Sequence, residues 1–128
     1  MTVLADYDAI YQVLYNLCNN AVKFAREEGI LRLRITFTED GKQVTVSVYN
    51  EGEGIAEDDL PFVFERFYKA DKSRGMDKTG VGLGLFISKA IIDAHHQHIF
   101  VKSELHKYCE FLFTLPTGIK QTYKSSNL

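Results

Sequence analysis

The chain reads as a two-layer α/β sandwich, a sheet of antiparallel strands with helices over one face. Three observations predict it. The first residues carry an amphipathic helical period, two separate stretches alternate in the manner of β-hairpins, and a second helical segment lies between those hairpins behind a glycine-rich turn. Strands that follow one another directly pair as hairpins, and helices set among them must cover a common face, which argues against a doubly wound parallel sheet. A length of 128 residues and a mass of 14.6 kDa suit one domain with one core. With 45% hydrophobic and 25% charged residues, nine Phe, seven Tyr and no Trp, the composition is globular rather than disordered.

Asp6 or Asp8 caps the first helix, whose apolar positions Ile10, Val13, Leu14, Leu17, Ala21, Val22 and Phe24 recur at helical spacing until Gly29 stops it. From Ile30 the period becomes two: Leu31, Leu33, Ile35 and Phe37, a turn at Asp40-Gly41, then Val44, Val46 and Val48. Residues 50–59, NEGEGIAEDD, combine two glycines with many acids and predict no regular element. Pro61 then opens a short helix through Phe67. The polar stretch from Lys69 to Lys78 reads as a surface loop. A turn from Gly80 to Leu85, GVGLGL, leads into a helix to about His95, and strands Ile99–Ser103 and Glu110–Leu115 end at Pro116. Residues from Lys120 to Leu128 form a polar, frayed tail.

Fifteen Lys and Arg against seventeen Asp and Glu give a net charge of −2 and a pI near 6.1, far from the basic balance that a nucleic-acid surface requires. Cys18 and Cys109 form no CxxC pair and have no metal-ligand spacing, which fits a reduced, cytoplasmic setting. No apolar run approaches the roughly 18 residues of a membrane span, and the N-terminus lacks the layout of a signal peptide.

Three groups of residues have chemical potential. Asn16, Asn20 and Lys23 share one stripe of the first helix, beside its apolar face. The stripe is either a solvated polar face or a ligand surface, since buried carboxamides without partners each cost about 1–3 kcal/mol. Asn50, at the end of a strand, precedes Gly52 and Gly54, which allow positive φ and close approach of a ligand to the backbone. This is either an ordinary loop or a place where Asn50 meets the edge of a base. Gly80, Gly82 and Gly84 precede a helix, and free backbone N–H groups at a helix N-terminus can cradle phosphates. Neither the P-loop spacing nor the G-x-G-x-x-G spacing of a dinucleotide fold is present.

In order along the chain, QVLYNLCNNAVKFA (Gln12 to Ala25), NEGEGI (Asn50 to Ile55), FERFYKADKSR (Phe64 to Arg74), TGVGLGLFISKAII (Thr79 to Ile92) and the closing Phe111 to Pro116 make the sequence similar to the catalytic ATP-binding domain of sensor histidine protein kinases, in the GHKL superfamily. The resemblance covers roughly Asp6 to Pro116. It implies the Bergerat ATP-binding fold, an α+β sandwich with a mixed, largely antiparallel sheet covered on one face by helices, with residues 1–118 as the domain and 119–128 as a tail.

The cofactors implied are ATP and Mg²⁺. By the same resemblance, Asn20 would supply its carboxamide oxygen to Mg²⁺, with Asn16 nearby, Lys23 on phosphate and Phe24 near the adenine. Asn50 stands where the family usually has Asp, whose carboxylate accepts the adenine N6 hydrogen. An Asn oxygen accepts the same bond without its charge assistance. Gly52 and Gly54 would line the base pocket, and Gly80, Gly82 and Gly84 would hold the lid hinge and the phosphates. Ile55, Phe67, Tyr68, Thr79, Val81, Leu83 and Leu85 complete the implied nucleotide-binding set. Phe64 and Phe67 would anchor the lid base, and Lys69 and Arg74 would be the catalytic cations at the γ-phosphate, with Arg66 and Lys72 left as surface charges.

The superfamily's ATP-hydrolysing members carry Glu four residues before the Mg²⁺-binding Asn. This chain has Asn16 there, and a carboxamide is no general base at neutral pH, so the resemblance implies phosphoryl transfer to another protein rather than hydrolysis. None of His95, His96, His98 and His106 lies in an H-E-[LI]-[RK] setting. The acceptor histidine would therefore lie on a dimerisation helix outside this chain, in a two-component pathway with a downstream response regulator. The domain would be monomeric and cytoplasmic in a membrane-anchored parent, touching neither nucleic acid nor membrane. A degenerate scaffold and an anti-sigma-type serine kinase are the alternatives. Glycines usual after the last helix are Gln97 and His98 here, and those usual in the final turn are His106 and Tyr108, which predicts an altered turn remote from the ATP boxes. His95 is expected to be structural.

Overall fold

The computed structural model describes residues 3–66 and 83–118. Helix α1 spans Tyr7–Phe24, with the Asp6 carboxylate accepting the Ala9 N–H at its start. Val13, Leu17 and Ala21, four residues apart, are its buried stripe. The helix stops five residues short of Gly29 for a tertiary reason. Ala25 forms an antiparallel bridge with Gly52, and the Arg26 N–H donates to the Glu51 carbonyl at 2.9 Å, so the backbone that would extend the helix is paired elsewhere.

Strands β1 (Leu31–Phe37) and β2 (Gln43–Glu51) form the first hairpin, in register from Phe37 opposite Val44 to Leu31 opposite Asn50. In its turn Gly41 adopts φ 70°, and the Asp40 carboxylate accepts the Lys42 N–H at 2.9 Å and the Thr38 hydroxyl at 2.8 Å. Those two bonds hold the Asp40 pKa below the ordinary carboxylate range. The second hairpin, β3 (Ile99–Glu104) and β4 (Tyr108–Pro116), joins the first through β2 and β4 to give the order β1-β2-β4-β3, with every pairing among the described residues antiparallel. Asn50 lies at the end of a strand as read, and Glu51, expected in no regular element, is the last residue of β2, because β4 continues alongside them to Cys109 and Tyr108.

The central strands supply the core: Val44, Val46 and Val48 from β2, and Phe111, Phe113 and Leu115 from β4. Helix α2 (Gly84–Ala94) packs beside α1 and buries Ile92 and Ser88, so Gly84 and Leu85 belong to the helix rather than to the turn before it. His95 ties the helices together. Its Nδ1 meets the Ile91 carbonyl at 2.9 Å while Nε2 accepts the Asp6 N–H at 3.1 Å, which assigns the ring proton to Nδ1. None of the described helices is long and apolar enough to cross a membrane.

A 3-10 helix occupies Glu57–Phe62 with Pro61 near its end, where Pro61 was expected to open a helix. The acids Glu57, Asp58 and Asp59 fill its first turn, where the exposed N–H groups favour negative charge. Phe67, the expected end of that helix, lies outside the described residues, as do the Lys69–Lys78 loop and the tail. Strand β1 is exposed along its whole length, although Leu33 and Ile35 share the face of β2 that carries the core valines.

Two outcomes follow. In urea denaturation, Phe113→Ala, at a site with no exposure, is expected to cost about 3–5 kcal/mol, whereas Ile35→Thr on the edge strand costs less than about 1 kcal/mol; equal losses would contradict the placement of β1. Burial pushes the Cys109 thiol up to about 12. The unfolded thiol ionises near 9.0 while the folded one stays protonated, so stability is full below that pH and falls as pH rises towards 12. Denaturation at pH 8 and pH 10.5 should show a steeper loss in the wild type than in Cys109→Ala.

Candidate functional site

Helix α1 is the common wall of the site. Its Asn16 is already engaged: Nδ2 donates to the Gly84 carbonyl at 3.2 Å and to the Ser88 hydroxyl at 3.3 Å, and Oδ1 accepts from Gln12 at 3.0 Å. Asn16 therefore clamps α1 to the first turn of α2, so this part of the polar stripe is an interhelical contact and not a solvated face. Asn20, partly buried, lies one turn further on, and the Lys23 ammonium sits 5.5 Å from the Phe24 ring centroid. Leu83 supplies no side-chain cap to α2, and Leu85 packs against the core.

At the other end of α1 lies the first glycine segment. Asn50 is 4% exposed, and its Nδ2 is the one buried side-chain polar atom without a hydrogen-bond partner among the described residues. Gly52 does not need positive φ. A Cβ there would stand 2.2 Å from the Phe24 carbonyl oxygen, so glycine is demanded by the crossing of the α1 terminus. Gly54 does take φ 73°, and a Cβ on it would meet the Glu104 carbonyl oxygen at 2.4 Å. The close approach that these glycines permit is thus made by the protein's own backbone. Ile55 is buried and hangs from β3, its N–H donating to the Ser103 hydroxyl at 2.7 Å.

The β3–β4 turn braces this segment. The Gly52 N–H donates to the Lys107 carbonyl at 3.1 Å, the His106 N–H to the Glu53 carbonyl, and His106 Nδ1 lies 2.8 Å from the Glu53 carboxylate. The expectation that the late positions are remote from the glycine segment is therefore wrong for His106. In the turn itself His106, standing where the family usually has glycine, adopts a left-handed φ of 69°. His96, just before Gln97 and His98, does the same at 59°.

The structure thus brings Asn16 to the start of α2, and Phe24 and Gly52 to the end of β2. The eight residues from Asn16 to Phe24 separate the two ends by about 12 Å along the helix. Phe64 packs edge-to-face on Phe111 at 5.9 Å, and exposed Arg66 stacks its guanidinium 4.8 Å from the centre of the Phe86 ring. Phe67, Tyr68, Lys69, Lys72, Arg74, Thr79, Gly80, Val81 and Gly82 lie outside the described residues. Sequence reasoning missed Ser88 and Ser103, which hold Asn16 and Ile55. An isolated serine in a helix or a strand carries no signal, and only the missing glycine at 106 hinted at the brace. Ser103→Ala strands the Ile55 N–H and removes a donor from the Tyr108 carbonyl. It should cost about 1–3 kcal/mol and speed hydrogen exchange at Ile55, while Ser103→Thr keeps both bonds; unchanged exchange in the alanine variant would refute the brace.

Residues 5–119 match the family described as "Histidine kinase-, DNA gyrase B-, and HSP90-like ATPase". The sensor histidine kinase WalK of Bacillus subtilis is 40% identical over 111 residues, which are 87% of this chain and 18% of WalK. The sensor protein SrrB of Staphylococcus aureus is 42% identical over the same length, 87% of this chain and 19% of SrrB. The chain therefore spans about a fifth of the length of these relatives. Among solved structures, the catalytic domain of histidine kinase ThkA superposes with a TM-score of 0.74 at 32% identity, covering 90% of this chain and 71% of that one. Full-length ShkA, crystallised with AMPPNP, gives 0.75 at 34% identity, covering 90% of this chain and 23% of ShkA. The chain belongs to the histidine kinase, DNA gyrase B and HSP90-like ATPase family, within which it is a histidine kinase catalytic ATP-binding domain.

Proposed function

We propose that this domain binds ATP with Mg²⁺ and donates the γ-phosphate to a histidine on a dimerisation helix of a longer parent protein, in two-component signalling through a response regulator. The observation that carries the reading is the pair of ends on α1: an unpartnered buried amide at Asn50 beside the terminus of α1, and the opening turn of α2 held at Asn16. The full-length relative crystallised with AMPPNP supports the choice of nucleotide. The residues suit the group. Asn20 offers a hard oxygen of the kind Mg²⁺ takes, the N-terminal turn of α2 favours phosphate, and Phe24, Gly52, Gly54 and Ile55 stand with Asn50 on the base side.

Bound Mg²⁺·ATP supplies the transferable phosphoryl group and neutralises its charge. The chain's own part is positioning and electrostatics. By the family resemblance, Lys23, Lys69 and Arg74 would provide cations, Gly80, Gly82 and Gly84 would provide backbone N–H groups, and Phe67, Tyr68, Thr79, Val81, Leu83 and Leu85 would complete the nucleotide-binding set. Asn16 is a carboxamide with its donor and acceptor both occupied, so it has no means of activating water, and transfer is favoured over hydrolysis. The parent is membrane-anchored and presents this domain, a monomer by itself, to the cytoplasm.

Mixing the full chain with the dimerisation helices of a related sensor kinase and γ-labelled ATP should produce acid-labile phosphohistidine. Acid-stable phosphoserine would indicate a serine kinase, and nucleotide binding without transfer would indicate a binding module. Asn20→Ala is expected to weaken Mg²⁺-dependent binding of a fluorescent ATP analogue by about tenfold, close to 1.4 kcal/mol; identical titrations with and without Mg²⁺ in both proteins would remove Asn20 from the metal's ligands.

A further inference from the structure

We propose that Asn50 makes the base pocket indifferent to whether a purine carries an amino or an oxo group at position 6, so that the domain takes inosine triphosphate about as well as ATP. The inference rests on the reading above, in which the base lies against Asn50.

The residue is held in place by the sheet. It is the penultimate residue of β2, opposite Leu31 on β1 and Cys109 on β4, and only 4% exposed. Its Nδ2 has nowhere to donate within the described residues. A buried donor left unpaired is a standing cost, and a ligand that brings an acceptor relieves it. A Cβ on Gly52 would stand 3.1 Å from Nδ2 and 2.2 Å from the Phe24 carbonyl oxygen, so the glycine lets the α1 terminus close over this side of Asn50.

The chemistry differs from that of a carboxylate in one respect. An ionised Asp only accepts hydrogen bonds, so it favours the amino group of adenine and repels an oxo group in the same position. A carboxamide has one donor and one acceptor side by side. In one orientation Oδ1 accepts from the 6-amino group and Nδ2 donates to N1, which is adenine. After a half-turn of χ2, Nδ2 donates to the 6-oxo group and Oδ1 accepts from N1–H, which is hypoxanthine. Both edges are met by two bonds, and neither leaves Nδ2 unpaired. A position that reads bases through such pairs controls discrimination of roughly 5- to 150-fold.

The test is displacement of a fluorescent ATP analogue from the full chain by ATP and by inosine triphosphate, with thermal melting to confirm folding of each variant. The wild type should bind the two nucleotides within about threefold of each other, and Asn50→Asp should prefer ATP by about tenfold or more. Nitrogen-edited NMR of the wild type should show the Asn50 side-chain amide protons moving with both ligands. A wild type that already rejects inosine triphosphate tenfold overturns the proposal whether or not Asn50→Asp folds, as does an Asn50→Asp protein with an unchanged ratio. If the analogue and ATP both fail to bind, it is the nucleotide reading itself that falls; if ATP binds and only the ratio is wrong, that reading stands and the role of Asn50 falls alone.

Discussion

The carbonyl oxygen of Phe24 points at Gly52 so closely that any Cβ there would collide with it at 2.2 Å. This crossing is the constraint from which the site follows. It ends α1, turns Ala25 into a bridging partner of Gly52, and lets Arg26 pair with Glu51 through its backbone at 2.9 Å and through its guanidinium at 3.0 Å. With the helix terminus locked to the end of β2, Asn50 is driven into the interior beside the helix rather than left on a solvated loop. One glycine thus sets both the length of the helix and the burial of a polar side chain.

The polar residues around this crossing are, with one exception, satisfied by the fold itself. Asn16 spends its amide on Gly84, Ser88 and Gln12, and fully buried Ser88 gains a donor in return. The Ser103 hydroxyl accepts a hydrogen bond from the Ile55 N–H and donates one to the Tyr108 carbonyl. These buried bonds are the kind whose loss costs more than their formation gains. Asn50 alone among the described buried side chains keeps a polar atom without a partner. An unsatisfied group in an otherwise satisfied interior is a standing cost to the fold, and it is the observation behind the recognition role proposed for Asn50.

The two histidines in left-handed conformation show how much a turn tolerates when its neighbours hold it. His106 accepts the strain of φ 69° because its N–H and ring both find Glu53, and the glycine segment is supported as a result. A side chain replaces the conformational ease of glycine with contacts. The hairpin that seemed peripheral in the linear order therefore becomes a support for the segment that follows Asn50.

By itself the sequence determined the two helices, the two hairpins and the order of the boxes, because hydrophobic period and turn chemistry are local and survive without knowledge of neighbours. The alternation of Val44, Val46 and Val48 and the four-residue spacing of Val13, Leu17 and Ala21 are visible as printed letters, and they became the core. The site was legible only as residue types. That Asn16 is a clamp, that Gly52 is demanded by Phe24 rather than by φ, that β2 runs on through Asn50 and Glu51 beside β4, and that His106 braces Glu53 all depend on residues far apart in the chain. Only the tertiary structure decided these, because a hydrogen bond or a steric collision is a property of two groups in space, and the sequence shows one of them at a time.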